Sequence, residues 1–244
     1  MIYQVFHQPE LYDQCTTAEF NTPIGAGPHT KDFCEKNNIP HDTLGEDNIG
    51  HWNDCINEWT CMYWAWKNLE TNNSSWIGIS HYRRSMPPEF RKNNNYLVER
   101  LLTQFDLIST FPCYFAFTPQ CKVKGLAEAI LLMTSEVYPE IKLNNLIKFG
   151  QEKLLHPFAN CIITNKELYN HYCKWAWPII EAIMKKRNSK KHIIGELDLR
   201  GPRNPGFMAE RLFPIYAYIF DLNVGYCIDG QIRPDITKNL RQAV

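Results

Sequence analysis

The sequence has no surplus charge: 26 Lys and Arg stand against 26 Asp and Glu in 244 residues. That balance argues against nucleic acid as a partner, because affinity for a phosphate backbone comes chiefly from an excess of cationic side chains. Long apolar runs are missing too. The longest, Ala127–Met133 and Trp175–Met184, are interrupted by Glu128 and Glu181, and neither approaches the ~20 residues of a membrane span. The opening MIYQVFHQPE lacks a basic stretch followed by an apolar one, so no secretory signal is expected. The nine cysteines are odd in number and never form C-x-x-C, which predicts reduced thiols and a cytosolic setting. There is no P-loop, G-x-G-x-x-G or G-x-S-x-G, so kinase, dehydrogenase and serine hydrolase readings lose their usual warrants. H-x-x-x-H and D-x-D are absent as well; Glu196-Leu197-Asp198 comes nearest, without a clear strand before it. No metal site is expected on this pattern.

What is present fits one globular domain spanning 1–244. A chain of this length buries roughly 70–75% of the surface its unfolded form exposes, enough for a core without staples. Ile2–His7 reads as a first strand closed by Pro9, and residues 20–28 as a second strand running into Gly25 and Gly27. Asn53–Leu69, free of Gly and Pro, reads as one helix capped by Asn53. Trp76–His81 reads as a buried strand, Asn95–Thr103 as a helix and Phe105–Thr110 as another strand. Further helices are expected at Leu126–Val137, Lys166–Lys186 (kinked near Pro178) and Pro205–Ile219, with a strand at Ala159–Thr164. The alternation predicts an α/β fold with a mostly parallel central sheet flanked by helices and a more helical C-terminal half.

In open α/β sheets ligands collect beyond the carboxyl ends of the strands, which directs attention to Ser80-His81-Tyr82-Arg83-Arg84. Two arginines and a histidine there suit a diphosphate, which guanidinium groups grip through paired hydrogen bonds; pairing with structural carboxylates is the plainer alternative. Asp47, Asn48, Asn53, Asp54 and Glu58 form a second polar cluster. Asp54 and Glu58, four apart on the expected helix, would share a face, or Asp54 would simply favour the helix N-terminus. Trp59, Tyr63, Trp64 and Trp66 read as core before sugar platform. Glu210 and Arg211 fall in an apolar helix, where a charge needs a partner or a site. Lys185–His192 is the one concentrated positive run, read either as a solvated loop or as a contact with anionic lipid head groups or a lipid-linked diphosphate.

Three stretches in order, Asp47-Asn48-Ile49 with Asn57–Asn68 (NEWTCMYWAWKN), Ile77–Arg84 (IGISHYRR) and Met208–Leu212 (MAERL), resemble a bacterial family of galactofuranosyltransferases from capsule and O-antigen gene clusters, first catalogued as a domain of unknown function. Weaker echoes lie at Phe6–Pro9, Thr22–Gly25, Ala159–Ile163 and Tyr172–Trp175. Between Phe111 and Leu155 the chain departs from the family, which usually carries a His-rich stretch and a longer insertion there. The resemblance implies a GT-A-like glycosyltransferase using UDP-galactofuranose with inversion, residues 1–115 forming the nucleotide-sugar half and 116–244 the acceptor and catalytic half. Its acceptor would be a glycan or a polyprenyl-diphosphate-linked glycan, met in the cytoplasm, at the inner face of the membrane if Lys185–His192 touches lipid. Glu210, then Glu58, then Asp47 are the candidate catalytic acids. His7, Gly25, Asn48, Asn53, His81, Tyr82, Arg83, Arg84, Asn160 and Arg211 are the candidate donor-binding residues. Arginines in the place where related folds carry D-x-D would neutralise the departing UDP without a metal, so no cofactor is expected. The alternatives are a same-fold transferase using a pyranose or deoxysugar nucleotide, and a non-catalytic sugar-nucleotide- or glycan-binding module.

Overall fold

The structure, a computed structural model, describes residues 1–15, 21–71, 73–84, 95–116 and 123–234. In chain order it comprises β1 (Ile2–Phe6), β2 (Asn21–Gly25), α1 (Lys31–Asn37), α2 (Asn53–Ile56), α3 (Trp59–Lys67), β3 (Trp76–His81), α4 (Asn95–Leu102), β4 (Leu107–Ser109) and β5 (Pro112–Ala116). There follow α5 (Leu126–Val137), α6 (Leu143–Gln151), β6 (Lys153–Pro157), β7 (Ile162–Asn165), α7 (Lys166–Arg187), β8 (Ile193–Ile194), β9 (Leu197–Asp198), α8 (Asn204–Ala209), α9 (Leu212–Ile219), β10 (Val224–Ile228) and β11 (Gln231–Pro234).

The central sheet has seven strands in the order β11-β10-β4-β7-β3-β1-β2. β2, β1, β3, β4 and β10 run one way, while β7 and β11 run against them. The parallel strands are short and apolar, with β1 and β3 buried along their whole length, as strands covered on both faces must be. Register places Val5 beside His81 and Ile162 beside Ile79. His7, His81 and Asn160, just before β7, therefore share one end of the sheet. α7 begins where β3 begins, since Asn165 pairs Trp76. Its 22 residues run back ~33 Å at 1.5 Å per residue, so its basic end lies on the side of those strand termini.

The core is aromatic where it meets α3. Trp59, Tyr63 and Trp64 are buried, and Tyr169 of α7 donates its hydroxyl to the Met62 carbonyl at 3.0 Å. These rings are core, as their helical spacing suggested. The eight cysteines among the described residues are free thiols; Cys121 lies outside them.

Two expected helices are interrupted. Asn53–Leu69 breaks at Asn57, whose φ of 53° and ψ of −131° cannot continue a helix. Asp54 is consequently exposed and Glu58 buried, and the two do not share a helix face. Pro205–Ile219 likewise divides into α8 and α9, with Glu210 and Arg211 in the turn between them instead of inside one helix.

Candidate active site

The strand ends assemble a compact cluster. Glu58, directly after the Asn57 break, places Oε1 3.2 Å from His81 Nε2 and 3.7 Å from His7 Nε2. The two imidazoles lie 5.4 Å apart centre to centre, and the Tyr82 ring sits 4.4 Å from that of His81. Burial alone would raise the Glu58 carboxyl, but hydrogen bonds and charge from His7 and His81 outweigh it and hold the group well below the usual carboxylate range. Burial lowers His81, with the neighbouring Glu58 charge opposing. Glu58 is therefore a firm anion and a weak base.

His7, Glu58 and His81 bring three ligand-type atoms within 4.8 Å of one another, a donor set that suits a transition metal more than Mg²⁺. The hydrogen bonding argues for another use. The Arg83 N–H donates to His81 Nδ1 at 3.3 Å, which leaves the ring proton on Nε2, close to Glu58 Oε1 but without a well-aligned hydrogen bond to it. Ligation through Nε2 would need that proton moved to Nδ1, where a second N–H already points.

Glu210 is the complementary acid. Burial and the Glu58 charge push its carboxyl up to about 7, against opposing pulls from Arg211, Arg203 and Arg83. Arg211 is only 7% exposed. Its Nη1 donates to the Phe207 carbonyl at 2.6 Å, and its Nε is buried with no partner. Among the described residues no carboxylate lies within ion-pair distance of Arg211, Arg203 or Arg83. A buried guanidinium left so is costly until an anion joins it. Arg83 lies over the Tyr82 ring (5.3 Å), and Arg84 stacks on Phe111 (3.8 Å); both are exposed. Asn160, buried with φ 53°, keeps its Oδ1 without a partner. The neighbouring Cys161 thiol, raised chiefly by burial, also feels Glu58, Arg84 and Glu210, which places it beside the same group of charges.

Other candidates hold the fold together. Asp47 receives the Lys67 ammonium at 2.8 Å and the Tyr63 hydroxyl at 2.7 Å, clamping its loop to α3. Asn48 ties the same loop through the Thr43 and Gly45 carbonyls and the Gly50 N–H. Gly25 is buried against Cys34 and Thr30, where a Cβ would collide. Asn53 donates to Asp42, the Asn57 carbonyl and Thr60. Asp42, which the sequence reading passed over, is fully buried and accepts from Gly27 N–H (3.0 Å) and Thr60 Oγ1 (2.6 Å). In the basic run, Lys186 is engaged by Glu136 at 2.6 Å, whereas Lys185, Lys190 and Lys191 are exposed. Arg203, not among the expected site residues, joins the cluster through Asn57.

Strand order and the flanking helices define a mixed α/β domain. The WbbM bifunctional glycosyltransferase, in its apo form, superposes with a TM-score of 0.68 at 18% identity over 96% of this chain. The chain spans 44% of the length of that protein. The chain belongs to the DUF4422 family, a domain of unknown function, whose model matches residues 1–220. No functionally curated protein matches it. Among the described residues no helix is long and apolar enough to cross a membrane.

Proposed function

We propose that this chain is an inverting glycosyltransferase that moves a galactofuranosyl residue from UDP-galactofuranose to a glycan or lipid-linked acceptor in cell-surface polysaccharide synthesis, working in the cytoplasm or at the inner face of the membrane. The observation that carries the reading is the α8–α9 turn, where a carboxyl held near neutrality adjoins a buried guanidinium with no carboxylate partner. In that arrangement Glu210 accepts the acceptor hydroxyl's proton as its oxygen attacks the anomeric carbon. The bond from that carbon to the diphosphate breaks, its electrons pass to the phosphate oxygen, and Arg83, Arg203 and Arg211 balance the charge on departing UDP. Glu58, held too acidic to be an effective base, keeps His7 and His81 in place and adds the negative charge that raises Glu210. Asp47 falls out of the catalytic set because Lys67 and Tyr63 already hold it.

The donor assignment rests on the three motif stretches. A panel of sugar nucleotides with UDP release as the readout tests it. UDP-galactofuranose should be turned over best; preference for a pyranose or deoxysugar nucleotide would replace the donor and leave the transferase reading, and no turnover with any donor and acceptor would favour a binding module. We further propose that transfer needs no divalent ion. Full activity in excess chelator is the expected result, and activity restored only by added metal would refute it.

A further inference from the structure

Asn57 takes a backbone conformation, φ 53° and ψ −131°, that glycine adopts freely and other residues only under strain. It is 2% exposed. Its carbonyl accepts from Asn53 Nδ2 at 3.1 Å. Its Oδ1 accepts from Arg203 Nε at 2.6 Å, and Arg203 is itself at φ 61°. Two residues with positive φ, from distant parts of the chain, thus grip each other. Its Nδ2 lies against Gly206, where any Cβ would collide. An asparagine kept where glycine would be easier implies that its side chain has a task. Occupying Nε fixes the guanidinium plane and leaves the paired Nη donors of Arg203, which is exposed, for another acceptor.

We propose that Asn57 is the positioning residue of a diphosphate clamp, in which its Oδ1 orients Arg203 so that this arginine and Arg211 together receive the diphosphate of a nucleoside diphosphate. The ligand class rests on the donor reading above. The clamp itself rests on the Asn57–Arg203 bond and on two guanidinium groups that, among the described residues, have no carboxylate within ion-pair distance.

The test is a double-mutant cycle in the full chain, with UDP and inorganic pyrophosphate as calorimetric probes. Asn57→Gly relieves the backbone strain, so its Tm should equal or exceed that of the parent while UDP affinity falls about tenfold, the scale of one charge-assisted hydrogen bond. Arg203→Ala should weaken UDP at least as much, and adding Asn57→Gly to it should cost nothing more. A purely structural asparagine would give additive losses, or unchanged affinity, and either result overturns the proposal. If Asn57→Gly does not fold, Arg203→Lys decides: it keeps the charge but not the planar fork in which Nε is held by Asn57 while two coplanar Nη donors face a second acceptor, so full UDP affinity in that variant refutes the clamp. Pyrophosphate binding with the same non-additivity but no UDP binding would discard the donor assignment and keep the clamp. Failure of the parent chain to bind either probe would overturn both.

Discussion

Replacing Glu210 by Gln should make the protein inactive and, at neutral and alkaline pH, more stable. The folded carboxyl titrates near 7 against an ordinary value of 4.5. Below pH 4.5 the group is protonated whether the chain is folded or not, and its contribution to stability is fully present. Between those values the folded chain retains a proton that the unfolded chain releases, so stability is lost as pH rises through about 7 and stays lost above it. A difference of ~2.5 units at ~1.4 kcal/mol each sets an upper limit of about 3 kcal/mol. Glu210 is half-buried, so solvent screening trims that limit and roughly 1–3 kcal/mol is expected. Glutamine keeps the shape and never ionises. Urea denaturation of parent and variant at pH 4, 6 and 8 should give coincident curves at pH 4 and a gap in favour of Glu210→Gln that opens by pH 8. A gap independent of pH, or a variant that is weaker at pH 8, would show that Glu210 is not held in the raised state from which its role as a base is argued.

The same acid should govern catalysis: kcat/KM rises with pH through about 7 to a plateau, and a profile flat from pH 5 to 9 would remove Glu210 as the base. Glu210→Gln should bind UDP almost as well as the parent; lost binding in a folded variant would make Glu210 a donor ligand instead. Arg211→Ala should lower kcat/KM by about a hundredfold or more, since charge-assisted hydrogen bonds to the leaving group contribute ~1.5–3 kcal/mol each, and Arg83→Ala should act in the same direction; near-normal turnover in both would end the arginine account. Asp47→Asn should lower stability by no more than ~1 kcal/mol, as for an exposed ion pair, with activity retained, and a collapse of turnover in a folded variant would return Asp47 to the catalytic set.

Much of the framework was legible before any coordinates. β1, β3, α5 and α7 follow from apolar runs and helical spacing because burial on two faces, or on one stripe, leaves a periodic trace in sequence. The strand-end rule led to His81 and Arg83. The interruption at Asn57 did not show, because it falls within a stretch free of Gly and Pro and a single positive φ leaves no periodic mark; at Glu210 a signal was present, since Pro214 has no N–H to bond the Glu210 carbonyl and so belongs in a first helical turn. Asparagine is enriched at positive φ mostly in the left-handed helical region, and the ψ of −131° at Asn57 lies outside it, so residue type gave little warning. The His7–Glu58–His81 cluster joins three distant segments through strand register, which no local pattern encodes. Arg203 was missed for a related reason: its significance lies in one hydrogen bond to a residue far away in sequence. Conversely, Asp47 and Asn48 looked functional because polar loop residues do; Lys67, Tyr63 and the loop's own carbonyls already occupy them.

Both acidic groups at the centre of this fold, Glu58 and Glu210, stand at places where a helix was abandoned and restarted. Engineering for heat resistance commonly rewards smooth, regular helices. Applied at Asn57 or at the α8–α9 junction, such smoothing would rotate each carboxylate away from the strand ends, since one residue's change in helical phase is ~100°. The tougher protein obtained in that way would be a well-folded scaffold with its chemistry erased.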